Sequence, residues 1–215
     1  TYFEMEVESI ADSAFVWVGH QWAPPDPLQT PVQGLTISDY RYWTIKGIIP
    51  EEFQATGAFF YSVNAYLDDG MLTDPNDSIV MLYRPSPAYD WQFVGFEKIG
   101  LWNIGKLYVE NIQAGEYTLA VCDDTFVGVE ENKIKTGLNV YPNPSGSGFH
   151  IETVYPGTLR FYDVSGKLLE SMVVEENNGS YFWKPREEKE GIFFVRYKTA
   201  DNRTIGAERL IMKKN

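Results

Sequence analysis

Short runs of Val, Ile, Phe, Tyr and Trp, broken by Gly, Pro, Asn and Asp clusters at intervals of about 8 to 12 residues, fill this chain from end to end. That spacing belongs to β-sandwiches rather than to βαβ units, because each run is long enough for one strand and each break supplies turn residues. In the first half the candidate strands are Ala14 to Val18, Tyr40 to Ile48, Gly57 to Leu67, Ser78 to Arg84, Leu107 to Ile112 and Glu116 to Cys122. In the second half they are Gly148 to Thr153, Thr158 to Asp163, Leu168 to Val174, Ser180 to Trp183, Gly191 to Lys198 and Ile205 to Met212. No stretch has a 3.6-residue apolar period; Pro50 to Ala55, with Pro and two acids first, reads as one helical turn.

Charge divides the chain. Residues 1 to 131 hold 20 acids and 5 bases and residues 132 to 215 hold 10 and 13, giving net −15 and +3 within the total of −12. The sign changes in a polar stretch, Val129 to Gly137, before the apolar pattern resumes at Leu138. The expected fold class is all-β, as two β-sandwich domains in tandem: an acidic accessory domain at 1–131, a linker at 132–137 and a second domain at 138–215. An acidic surface of this size repels phosphate backbones and anionic headgroups, so nucleic acid is not an expected partner. Aromatics at 15% and hydrophobics at 44% give ample material for cores. Cys122, the lone cysteine, sits in the apolar run Tyr117 to Cys122 and reads as a buried thiol, which leaves no intrachain disulfide. No apolar run approaches the length of about 20 residues needed to span a bilayer. The start Thr1-Tyr2-Phe3-Glu4, without Met or a signal-like segment, reads as that of a fragment of a longer precursor.

Four elements order the second domain. Tyr141-Pro142-Asn143-Pro144 opens it, the prolines keeping the chain extended and out of helix. Asp163-Val-Ser-Gly166-Lys167 is a hairpin turn in which Asp opens the reversal and Gly166 accepts positive φ. Glu190 to Lys198 is a strand with Ile192, Phe194 and Arg196 on one face and Phe193, Val195 and Tyr197 on the other. The last strand ends in Lys213 and Lys214.

In this order at the end of the chain, the four elements resemble the type A C-terminal sorting domain of the type IX secretion system of Bacteroidota. The motif positions are Tyr141, Pro142, Asn143, Pro144, Asp163, Gly166, Lys167, Gly191, Phe193, Val195, Lys213 and Lys214. Phe193 departs from the pattern, which has Tyr there. The resemblance implies an immunoglobulin-like sandwich that delivers a secreted or cell-surface protein after periplasmic transit. It also implies an outer-membrane translocon and a sortase-like peptidase as partners, with cleavage in or near 130–137, and no catalytic residue or cofactor.

The first domain offers chemistry without a motif. Trp22, Trp43 and Trp91 stand out among its aromatics as rings that could stack on sugars in a carbohydrate-binding module; aromatics in sandwiches are otherwise core. His20 and His150 are the only histidines and lie in different domains, so no His-Glu-x-x-His zinc site exists and no metal is expected. A small hydrolase built on His20 lacks a Gly-x-Ser-x-Gly elbow. Asp68 to Asp77 reads as a solvated hairpin loop, with calcium as the alternative, although it fails the EF-hand spacing. Leu35 to Gly47 and Leu82 to Ser86 resemble segments that follow the catalytic region of secreted gluzincin-type aminopeptidases. That likeness implies an accessory domain whose catalytic partner lies elsewhere in the same precursor.

Overall fold

A computed structural model describes residues 2–50, 52–64, 67–123, 137–175, 177–186, 190–199 and 204–213, and among these there are strands and turns but no helix. They fall into two compact units, Thr1–Val129 and Glu130–Asn215. The stretch 132–137 expected to be a linker lies, except for Gly137, outside the described residues.

Unit 1 contains β1 (Phe3–Ser9), β2 (Phe15–Gln21), β3 (Leu35–Ile37), β4 (Tyr42–Ile48), β5 (Gln54–Ser62), β6 (Ser78–Arg84), β7 (Gln92–Phe93), β8 (Glu97–Leu101), β9 (Ile104–Val109) and β10 (Gly115–Cys122). One sheet runs β1-β5-β9-β8; the other runs β2-β4-β10-β6-β7, with β3 beside β4 against the same edge of β10. Their facing sides share a core that includes Trp43, Ile45, Phe59, Tyr61, Met81, Leu107, Tyr117 and Leu119. β1 shows how the pattern sets the packing: Phe3 and Met5 pack on that core, while Glu4, Glu6 and Glu8 alternate to the other face. Sheet two carries a second core on its outer side, where Val80, Leu82, Trp91, Ala120 and Cys122 are covered by Leu28, Leu35, Ile37 and Phe96. β6 and β10 are therefore apolar on both faces, which is why Ile79 to Leu82 and Leu119 to Cys122 are unbroken apolar runs. Burial, and then the charge of Asp123, push the Cys122 thiol up to about 11, so it stays protonated at neutral pH.

Two expectations fail here. The described residues of Pro50 to Ala55 hold no helix: Phe53 N–H donates to Pro50 C=O at 3.0 Å, β5 starts at Gln54, and Glu51 lies outside the described residues. The β-branched and aromatic content that follows pulls the segment into the sheet. Nor is Asp68 part of a solvated loop, because its side chain is buried against Arg41.

Unit 2 contains β11 (Leu138–Tyr141), β12 (Phe149–Thr153), β13 (Gly157–Tyr162), β14 (Leu168–Val174), β15 (Gly179–Trp183), β16 (Gly191–Thr199) and β17 (Thr204–Met212). They form a three-stranded sheet, β11-β12-β15, and a four-stranded sheet, β14-β13-β16-β17. Leu138, Phe149, Ile151 and Trp183 from the first meet Leu159, Phe161, Val195, Tyr197 and Leu210 from the second in one core. Phe161 stacks on Trp183 with centroids 4.2 Å apart and planes 4° from parallel. An aromatic pair of that kind contributes about 0.5–1.5 kcal/mol beyond its buried area. Phe193, Val195 and Tyr197 share one face, as expected, and that face meets this core; Phe194 and Arg196 on the opposite face are buried too.

Candidate functional site

Strand register, not chain order, gathers the motif residues of unit 2. Tyr162, last in β13, lies opposite Phe194 near the start of β16, and Gly191, first in β16, lies opposite Met212 at the end of β17. The Asp163-to-Lys167 turn leaves β13 at that same end of the sheet and returns as β14. Ser145 adds the fourth segment: its N–H donates to Ile211 C=O at 2.9 Å and its C=O accepts from Lys213 N–H at 2.8 Å. Segments from positions 141 to 213 thus converge on one end of β14-β13-β16-β17.

Asn143 makes the decisive contact. Its Nδ2 donates to Arg209 C=O at 2.5 Å and its Oδ1 accepts from Ile211 N–H at 2.9 Å. One side-chain amide therefore acts as a short length of neighbouring strand, satisfying backbone groups on the outer edge of β17, which is a sheet edge. The peptide bonds before Pro142 and Pro144 on either side of it are both cis. Tyr141 and Asn139 donate to Glu152 at 2.7 and 3.0 Å, fixing β11 to β12 across the exposed face. Those two bonds hold the Glu152 carboxyl below its usual range, and Glu152 in turn raises the Tyr141 phenol.

The turn motif is built by Asp163. Its Oδ1 accepts from Ser165 N–H at 2.8 Å, Ser165 Oγ–H at 2.6 Å and Lys167 N–H at 3.1 Å, and Gly166 takes φ 75° as the reversal requires. The strand motif is mostly interior: Phe193 and Val195 are core, with the Phe193 ring 5.6 Å edge-to-face from Trp183. A phenylalanine in place of the usual tyrosine fits a position with no need of a hydroxyl. Gly191 has no comparable reason; a Cβ there would meet the Phe193 ring at an ordinary 3.7 Å, and nothing in the structure demands glycine. Exposed at the convergent end are Tyr141 to Pro144, Lys167 and Lys213, while Lys214 lies outside the described residues.

In unit 1 the three tryptophans separate. Trp43 is fully buried and Trp91 is 5% exposed, so neither presents a ring to a sugar, correcting the expectation for both. Each completes a core instead: Trp43 packs against Arg41 and His20, and Trp91 lies under Arg84 with its indole N–H donating to Asp26 C=O at 2.8 Å. Trp22 is 52% exposed and touches His20, Tyr2 and Tyr40.

Below these rings lies a contact that sequence reasoning missed. Arg41 Nε and Nη2 donate to the two Asp68 oxygens at 2.9 and 2.7 Å, Nη2 also reaches Phe60 C=O, and Ser62 N–H donates to Asp68 at 2.8 Å. Burial drives the Asp68 carboxyl upward and the Arg41 charge opposes that rise. The available signal was scarcity: Arg41 is one of five bases among the 20 acids of residues 1–131, set between Tyr40 and Tyr42. Farther along, Asp77 Oδ2 accepts from Thr73 N–H and Asp74 N–H, so the loop's carboxylates fold the loop itself. Among the described residues no cluster of His, Cys, Asp and Glu is arranged to hold a metal ion, and no helix is long and apolar enough to cross a membrane.

Unit 2 is thus an all-β unit in which four short segments far apart in sequence meet at one end of a sheet. Residues 139–213 match the family of the secretion system C-terminal sorting domain, and this stretch is a type IX secretion sorting tail. The chain is accordingly that of a secreted or cell-surface protein, with the type IX secretion machinery as a partner. A search of curated proteins returns no match to the chain.

Proposed function

We propose that the export machinery reads the convergent end of β14-β13-β16-β17, where Pro142, Pro144, Lys167 and Lys213 are exposed around the Asn143 amide. What supports this reading is the register that brings four sequence-distant motifs to one place, an arrangement a generic sandwich has no reason to build. On this view an outer-membrane translocon docks there, a sortase-like peptidase of a Bacteroidota host cuts between the units, and the tail is immunoglobulin-like. The residues divide by role: Asp163, Gly166, Phe193 and Val195 shape the surface, and the prolines and lysines are read from it. The test is secretion of the chain in a competent host. Lys167→Glu with Lys213→Glu reverses two exposed charges without touching the core, so it should retain the protein in the periplasm at unchanged stability. Export at the wild-type level would sink the proposal.

Unit 1 is proposed as an accessory domain of a larger secreted hydrolase, supported by the peptidase-like segments Leu35 to Gly47 and Leu82 to Ser86; they now read as β3, β4 and the Arg84 corner. Linking it to a catalytic domain of the same precursor and finding no change in substrate capture or stability would remove that reading. A second reading, a carbohydrate-binding module, is favoured by one observation: Trp22 remains half exposed although the other two candidate tryptophans are core.

A further inference from the structure

Trp22 does not stand alone. Tyr2 and Tyr40 are 42% and 45% exposed, and both contact Trp22, with centroids 6.0 and 5.4 Å away and planes at 87° and 70°. The cluster is supported from inside. Tyr2 stacks on Phe60 at 5.6 Å and its C=O accepts Phe60 N–H at 3.0 Å; His20 packs on Trp22 at 4.3 Å and lies parallel to buried Trp43 at 5.0 Å. Arg41 lies over Trp43 at 4.8 Å and is clamped by Asp68.

Tyr40 also lines a shallow depression of about 170 Å³ with Ser38, Asp39, Asp68, Asp69 and Met71. Asp68 is consumed by Arg41, whereas Asp39 and Asp69 are at the surface. The loops carrying them are held in fixed relation, since Arg41 closes the first, Asp68 opens the second, and Met71 and Leu72 N–H both donate to Asp68 C=O. Tyr40 thus joins the exposed rings to the depression that carries the surface carboxylates.

From this arrangement we infer that Trp22, Tyr40 and Tyr2, with Asp39 and Asp69, bind a short neutral glycan. This inference rests on the carbohydrate-binding reading of unit 1 and adds the site and the ligand class to it. The chemistry selects among ligands. Exposed rings accept the C–H face of a sugar, and carboxylates accept hydrogen bonds from its hydroxyls. Net −15 over residues 1–131 disfavours uronic, sulfated or phosphorylated chains. A quaternary ammonium needs a space enclosed by rings, and here the rings touch one another. Because the rings are nearly perpendicular rather than coplanar, they form a corner and not a strip. That shape suits one or two sugar units of a soluble oligosaccharide and not the flat face of a crystalline polysaccharide.

Calorimetric titration of the full chain decides it, using neutral gluco-, manno- and xylo-oligosaccharides of four to six units, an oligogalacturonate, choline and microcrystalline cellulose. At least one neutral oligosaccharide should bind, and Trp22→Ala should weaken it about tenfold or more, roughly the effect of one lost contact of 1.4 kcal/mol. Tyr40→Ala should weaken it less, Trp22→Phe should restore part of the loss, and Trp17→Ala, which removes another exposed indole, should change nothing. No binding by any neutral oligosaccharide would overturn both the site and the carbohydrate reading. Binding that survives Trp22→Ala and Tyr40→Ala unchanged would overturn the site alone, and binding only of choline, oligogalacturonate or cellulose would overturn the ligand class.

Discussion

Each unit uses polar side chains to tie together segments far apart in the chain, yet the two ties are opposite in character. Unit 1 joins its 38–41 and 67–72 loops through the buried, charged pair Arg41–Asp68; unit 2 joins its opening segment to its last strand through the exposed, neutral amide of Asn143. A buried charge that loses its partner cannot be rehydrated, so the first tie holds geometry rigidly. The second can exchange its hydrogen bonds for water at small net loss. The lesson is that a rigid interior clamp suits a surface that must be fixed before a small ligand arrives. A water-accessible clasp suits a surface assembled once, when the last strand docks.

The contrast breaks first at Asp68. Asp68→Ala strands the Arg41 guanidinium in the interior and should cost unit 1 about 3–5 kcal/mol in denaturant unfolding; a loss under about 1 kcal/mol would mean the pair is not the clamp described. Asn143→Ala removes two solvent-accessible hydrogen bonds and should cost unit 2 only about 1 kcal/mol. Secretion of that variant should fall further than its stability does, and a parallel decline would make Asn143 purely structural.

A smaller effect depends on pH. Burial, and then the Arg41 charge, lower the His20 pKa from 6.5 to about 4. Between those values the unfolded chain takes up a proton that the folded chain refuses, so unit 1 should lose stability as the pH falls from 6.5 towards 4 and be unaffected by this group above 6.5. His20 is half-buried, and solvent screening keeps its share below that of the Asp68 clamp. His20→Gln should flatten that acid limb in thermal melts, and an unchanged slope would assign it to other groups. The smallest effect belongs to Gly191→Ala, which meets no clash and should leave unit 2 unchanged or stabilise it by up to about 1 kcal/mol through the unfolded chain. Measurable destabilisation would show that the motif glycine has a packing role after all.

Much of the strand pattern is legible in the sequence, since Ser78 to Arg84 and Leu168 to Val174 have the bounds that apolar runs and turn residues mark. What escapes is instructive. β1 alternates Phe3, Met5 and Val7 with three glutamates, a strand by period but masked by its charge, and β3 has only three residues. Pro50 to Ala55 carries helix-start residues overridden by the sheet that follows. The sorting motifs are visible as local patterns, whereas their meeting place depends on register across β13, β16 and β17, which local propensity does not encode. Arg41 and Asp68 are 27 positions apart and Asn143 and Ile211 are 68, so neither tie leaves a mark within a sequence window. Among the tryptophans, equal residue type hides unequal fate, because Trp43 and Trp91 lie on covered faces and Trp22 just beyond the end of β2.

The pair β6 and β10 is a party wall with a furnished room on each side. Prising those two strands apart would flood both rooms at once, so unit 1 cannot lose that one pairing and keep either interior dry.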